Sequence, residues 1–179
     1  PVSGGSENDL IEITDKEIIV ENYSVSKTKY NGSELTFLGI SRDINEGKKV
    51  KGLFYECFEE MAIKEIKKII NDLKNKYLID YFIVVHRIGS VPPGNISLLV
   101  ILSSRHRKQS LDCMAEFLDI FKERVPIWKK EIYEDDSKWL WYKFVIRKIQ
   151  YGEKMKIKVG DKLDNICLLY TSPSPRDRS

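Results

Sequence analysis

Two near-continuous apolar runs constrain this chain more than any other feature. They are Tyr81-Phe82-Ile83-Val84-Val85 and Ile96 to Leu102. Both are of strand length, well short of the roughly 20 residues that a membrane span needs. The second, continued to Ser103, has so little polar alternation that burial on both faces is expected. Gly89 to Asn95, with Pro92-Pro93-Gly94, reads as a tight connection between them. The cover for such strands must come from elsewhere in the chain. A helix from about Phe58 to Tyr77 offers it, since Phe58, Ala62, Ile66, Ile69, Ile70, Leu73 and Tyr77 recur at spacings of three and four. Glu59 and Glu60 open that helix and lysines close it, which suits the helix dipole. A second helix follows residue 108, with Leu111, Met114, Ala115, Leu118 and Phe121 expected on one face; Pro126 stops it just after Lys122.

Further strands are expected at Leu10 to Val20 (a strand or hairpin), Glu34 to Ile40, Val50 to Glu56 and Trp139 to Ile146. Leu35, Phe37 and Gly39 share one face of the second of these. Ser41 to Lys49 reads as an exposed loop. The sum is an α+β domain, a mostly antiparallel sheet packed with two main amphipathic helices. Of the 179 residues, 42% are apolar and 32% charged, a globular balance. Residues 1–8 are expected to be disordered, 9–140 to form the domain and 141–166 to be a C-terminal extension. The stretch 167–179, ending in Thr171 to Ser179 without an apolar residue, is expected to be a disordered, non-native tail. No secretory signal is visible at the start.

The net charge of +3 from 30 basic and 27 acidic residues is too balanced to argue for nucleic acid. Three distant cysteines form neither a disulfide framework nor a metal motif, and two histidines exclude a His-rich metal site. Phosphate-loop, nucleophile-elbow and dinucleotide motifs are absent from the sequence. What remains is four cationic clusters: Phe37-Leu-Gly-Ile-Ser-Arg42, Ser104-Arg-His-Arg107, Lys122, and Lys129-Lys130-Glu131 beside Trp128. Such a set suits a ligand carrying several anionic groups. Each cluster also has an ordinary reading, as a solvated loop arginine, a solvated helix start, a helix cap or a core-anchored strand. His86 reads as a hydrogen-bonded structural histidine. Spacing alone does not choose among these readings.

The order of motifs resembles the large, catalytic subunit of molybdopterin synthase. The resemblance runs from about Asp9 to Leu140 through Asp9-Leu-Ile-Glu-Ile-Thr14, Phe37-Leu-Gly-Ile-Ser-Arg-Asp43 with Asn45 and Gly47, Tyr55-Glu56, Val85-His-Arg-Ile-Gly89, Pro93-Gly94, Ser103-Ser-Arg-His-Arg107, and Phe121-Lys-Glu-Arg-Val-Pro-Ile-Trp-Lys-Lys-Glu131. It implies an α/β hammerhead-type fold in the cytosol, with no metal and no cofactor. It implies a central homodimer with a small ubiquitin-like sulfur-carrier subunit at each end. The carrier's thiocarboxylate would deliver sulfur to cyclic pyranopterin monophosphate (precursor Z). The resemblance places catalysis on Lys122 and Lys129, and substrate binding on Ile40, Ser41, Arg42, His106, Arg107, Lys130 and Glu131. Lys122 is then expected beside Arg107 and Lys129. Ile44, Asn95 and Arg105 depart from the family's usual residues. The rival expectations are a catalytically inactive carrier-binding scaffold and a basic RNA-binding module using residues 105–108.

Overall fold

The computed structural model describes residues 2–4, 9–24, 29–133 and 137–140. The chain divides into a unit spanning residues 1–144 and a second spanning 145–179. The second unit, and the expectations for 141–166 and 167–179, lie outside the described residues. In chain order the elements are β1 (Val2–Gly4), β2 (Leu10–Thr14), a single 3-10 turn (Val20–Asn22), β3 (Ser33–Ile40), β4 (Ile44–Asn45), β5 (Lys48–Cys57), α1 (Glu59–Tyr77), β6 (Ile79–Arg87), β7 (Gly89–Val91), β8 (Ile96–Ser104), α2 (Arg107–Arg124), β9 (Ile127–Tyr133) and β10 (Ser137–Leu140). β1 falls within the stretch expected to be disordered.

One sheet has the order β1-β2-β6-β8-β3, and the other β10-β9-β5-β4 with β7 also on β5. Among the described residues only β2 and β6 pair in parallel; the other pairings are antiparallel. The mixed α+β class and the mostly antiparallel sheets are as the sequence indicates. β6 and β8 lie at the centre of the first sheet, with Ile83 opposite Ile101 and Val85 opposite Leu99. Alternation sends successive side chains to opposite faces. Phe82, Val84, Val100 and Leu102 join Ile66, Ile69, Ile70 and Leu73 of α1 and Cys113 and Phe117 of α2 in the main core. Tyr81, Ile83, Val85, Leu99 and Ile101 form a second cluster on the other face, with Ile18. The two apolar runs are therefore covered on both sides.

Three expectations need correction. The exposed loop 41–49 contains a hairpin: β4 pairs with the start of β5 across Glu46-Gly47, whose φ values are 49° and 77°. Two consecutive left-handed residues make the two-residue turn that matches strand twist, and glycine at the second place relieves it. The inward stripe of α2 is Ser110, Cys113, Met114, Phe117 and Phe121; of the expected face, Met114 and Phe121 are buried and Leu118 is half-buried against the core, while Leu111 and Ala115 are exposed. Leu111 is 54% exposed, whereas Phe117 is fully buried against Phe82 of the sheet. Finally, Phe58 lies outside α1 as its N-cap and is exposed, while Ile63 is buried in its stead. Arg124 grips Glu65 at 2.6 Å and so locks the end of α2 to α1.

Candidate active site

Pro126 decides the local geometry of the site. It cannot continue α2, so Val125 turns extended and β9 begins at Ile127. Lys122, in the last helical turn, and Lys129, on the strand, are thereby brought to the same cavity from either side of the corner. Along β9 the side chains alternate, so Lys129 and Glu131 face this cavity together with their cross-strand neighbours Tyr55 and Leu53. Lys130 faces the other way and does not line it. The cavity measures about 340 Å³ and is completed by Ile40 at the end of β3, Arg42 just after it, Asn45 of β4, His86 of β6 and Phe121 of α2.

The electrostatics are organised around Glu131. Its side chain is buried, and its Oε1 lies 3.0 Å from the Lys129 ammonium. Its Oε2 accepts hydrogen bonds from Asn45 Nδ2, at 2.8 Å, and from the Tyr133 hydroxyl. Burial on its own raises this carboxyl's pKa, but the bonds from Tyr133, Lys129 and Asn45 outweigh it and hold the group below its ordinary value. Lys122 has no ion-pair partner among the described residues. Arg42 reaches Asn45 Oδ1 at a long 3.4 Å.

His86 forms part of the cavity wall. Its Nδ1–H donates to the Arg87 carbonyl at 2.8 Å, and its ring stacks on Phe121 and meets Tyr55 edge-on. Burial pushes its pKa down to about 4, against the opposing pull of the Arg87 carbonyl, so the ring is neutral near pH 7. Tyr55 is pushed up by burial; a bond to Ser97 opposes this and the Glu131 charge adds to it. Ser41 is buried and does not line the cavity. Its backbone donates to the Asn95 carbonyl and accepts from Gly94 N–H, which ties the loop to the turn before β8 and aims Ile40 and Arg42.

The remaining expected pair lies elsewhere. His106 caps the start of α2 and lines a second depression with Asn31, Asp80, Arg105 and Gln109. Arg107 is the first residue of α2, and Lys122 lies fifteen helical steps further on, about 22 Å at 1.5 Å per step. The expectation that Lys122 sits beside Arg107 is thus wrong within one chain, although Lys122 and Lys129 do converge. Sequence alone does not single out Asn45, Tyr55, His86 and Tyr133 as site residues. Asn45 and Tyr55 belong to the quoted motifs, but nothing in the sequence says that they meet Glu131.

The sequence and the fold of this chain match a known family. The family model described as MoaE protein matches residues 13–124. The molybdopterin synthase catalytic subunit of Homo sapiens is 37% identical over 145 residues, covering 75% of this chain and 77% of that protein. The crystal structure of molybdopterin synthase from Staphylococcus aureus superposes with a TM-score of 0.68 at 36% identity, covering 72% of this chain and 95% of that one. A Helicobacter pylori protein, solved as a complex of subunits 1 and 2 of molybdopterin-converting factor, shares the fold at 21% identity and a TM-score of 0.59, over 72% of this chain and 88% of that one. The class is that of an enzyme subunit with an α+β fold and a cationic pocket. The chain belongs to the MoaE protein family.

Among the described residues no helix is long and apolar enough to cross a membrane, and no group of His, Cys, Asp or Glu is placed to hold a metal ion.

Proposed function

We propose that this chain is the catalytic subunit of a cytosolic molybdopterin synthase, moving sulfur from a carrier's C-terminal thiocarboxylate to precursor Z. The observation that carries the reading is the convergence of Lys122 and Lys129 on one cavity in a chain of this family. The thiocarboxylate and the substrate phosphate are anions, and negative charge builds on oxygen as sulfur is transferred. Fixed cations in a partly enclosed cavity stabilise all three, most strongly where water is excluded. The carrier supplies the nucleophile, so the pocket's task is mainly positioning and charge stabilisation. Lys122, with no ion-pair partner among the described residues, is open to substrate. Lys129, tied to Glu131, holds a fixed place opposite it. Arg42 at the rim suits the phosphate or the carrier's terminus.

His106 and Arg107 cannot reach the same small substrate from 22 Å of helix away in one chain. A central homodimer resolves this: the pair from one protomer would complete the pocket of its partner. The small ubiquitin-like carrier is the second partner, consistent with the two-subunit complex formed by the Helicobacter pylori protein of the same fold. The test is to incubate the purified chain with thiocarboxylated carrier and precursor Z and to detect molybdopterin. Product formed above a no-enzyme control supports the reading; carrier binding without product points to a catalytically inactive scaffold.

A further inference from the structure

We propose that Asn45 is a positioning residue of this pocket, whose side-chain amide orients Glu131 and through it fixes Lys129. The inference rests on the sulfur-transfer reading of the site. Asn45 is the last residue before the Glu46-Gly47 turn, and it pairs with Lys48 across the hairpin. A two-residue turn leaves little backbone freedom, so the hairpin presents this side chain in a fixed place. An asparagine amide carries a donor and an acceptor on one short stem. Here the donor end faces the Glu131 carboxylate and the acceptor end faces Arg42. The reversed amide would set oxygen against carboxylate and N–H against guanidinium, so the neighbours select one orientation. The Arg42 end, at 3.4 Å, is the weak one; the Glu131 end, at 2.8 Å, does the positioning.

A buried carboxylate needs each oxygen engaged. Lys129 holds Oε1, while Asn45 and Tyr133 hold Oε2. Removing the Asn45 donor leaves Oε2 with the Tyr133 hydroxyl, which sits on the same strand as Glu131. The carboxylate then loses its restraint from across the pocket, and the Lys129 ammonium moves with it. Misplacing a catalytic group by about 1 Å costs on the order of a hundredfold in rate.

The test compares Asn45→Ala and Asn45→Asp with the full chain in single-turnover sulfur transfer, using thiocarboxylated carrier and precursor Z. Each rate is taken as a ratio to wild type between about pH 5 and 8, with thermal melts alongside. Asn45→Ala should lose about ten- to a hundredfold in turnover with little change in substrate affinity. Asn45→Asp sets a second carboxylate against Glu131, so the pair shares one proton at a raised pKa. Once protonated, a carboxyl O–H replaces the amide N–H, so turnover should climb back toward wild type as pH falls, which Asn45→Ala cannot do. The other groups facing the pair are Arg42, Lys122, Lys129, Tyr55, Tyr133, Glu46 and His86; His86, with its pKa at about 4, stays neutral over this range.

Wild-type turnover in Asn45→Ala, or no recovery in acid by Asn45→Asp, overturns the proposal, as does a loss that follows the fraction unfolded in the melts. Lys122→Ala and Lys129→Ala are measured in parallel. If both transfer sulfur normally, the pocket reading and the Asn45 proposal fall together; if both are inactive while Asn45→Ala is normal, only the proposal falls.

Discussion

Lys122 and Lys129 are alike in type and differ in surroundings. Lys129 is half of an ion pair, whereas Lys122 faces the cavity with no ion-pair partner among the described residues. Lys122→Ala therefore removes nothing the fold relies on, and its melting curve should match wild type, a change within about 0.5 kcal/mol. Sulfur transfer should nonetheless drop about 10²–10³-fold, as on losing one preorganised charge contact to a transition state. Lys122→Arg should restore little, because a planar fork does not replace a point charge at close range. Single-turnover assays beside thermal melts check both. His86 gives a prediction in pH. Its folded pKa of about 4 lies below the unfolded value of about 6.5, so between the two the unfolded chain binds the extra proton. Stability is then full above about pH 6.5 and falls on acidification towards pH 4, by roughly 3 kcal/mol in all. The depressed Glu131 carboxyl works in the same direction, its contribution being lost as pH falls through its folded pKa. Melts from pH 7 to 4 should show the decline, and His86→Gln should flatten the His86 part of it.

At the level of elements, α2 is where pattern and packing disagree most. Its sequence offers two overlapping apolar stripes that share Met114 and Phe121, one adding Leu111, Ala115 and Leu118 and the other adding Cys113 and Phe117. The period of the pattern does not rank them; the sheet does, since Phe117 packs on Phe82 and Phe121 on His86. Phe117→Ala should cost about 3–5 kcal/mol, as for a large core truncation, while Leu111→Ala should stay within about 0.5 kcal/mol. Urea titrations of the two variants decide between the stripes, and equal losses would restore the sequence-based one. The helix-strand corner at Pro126 and the short hairpin at Glu46-Gly47 show the opposite case. Both have plain sequence signals, yet the hairpin was expected to be a loop, because two paired residues are too few to form a pattern.

For the whole molecule, the distance between the two ends of α2 is decisive. If His106 and Arg107 serve the partner's pocket, a site needs Lys122 from one protomer and Arg107 from the other. Lys122→Ala and Arg107→Ala homodimers should each be inactive. Mixing them allows heterodimers in which one pocket has both residues intact and the other has neither. With random exchange, half the dimers are mixed and half their sites intact, so about a quarter of wild-type activity should return. Absence of any recovery, with exchange confirmed by native mass spectrometry, would return His106 and Arg107 to a role at the helix start.

The sequence by itself determined the α+β class, the two central apolar strands and the double cover of the second, both helices and the residues that mark the family. These are legible because side-chain period, breakers and motif order are local properties of a chain. It also named Lys122 and Lys129, which lie only seven residues apart around a proline that ends the helix. Only the tertiary structure decided which cations share a cavity. Arg107 and Lys122 belong to one helix and are kept apart by its length, whereas Asn45 and Glu131, 86 residues apart in sequence, are bonded at 2.8 Å. Such contacts depend on how sheets and helices stack, and no local pattern of residues records that.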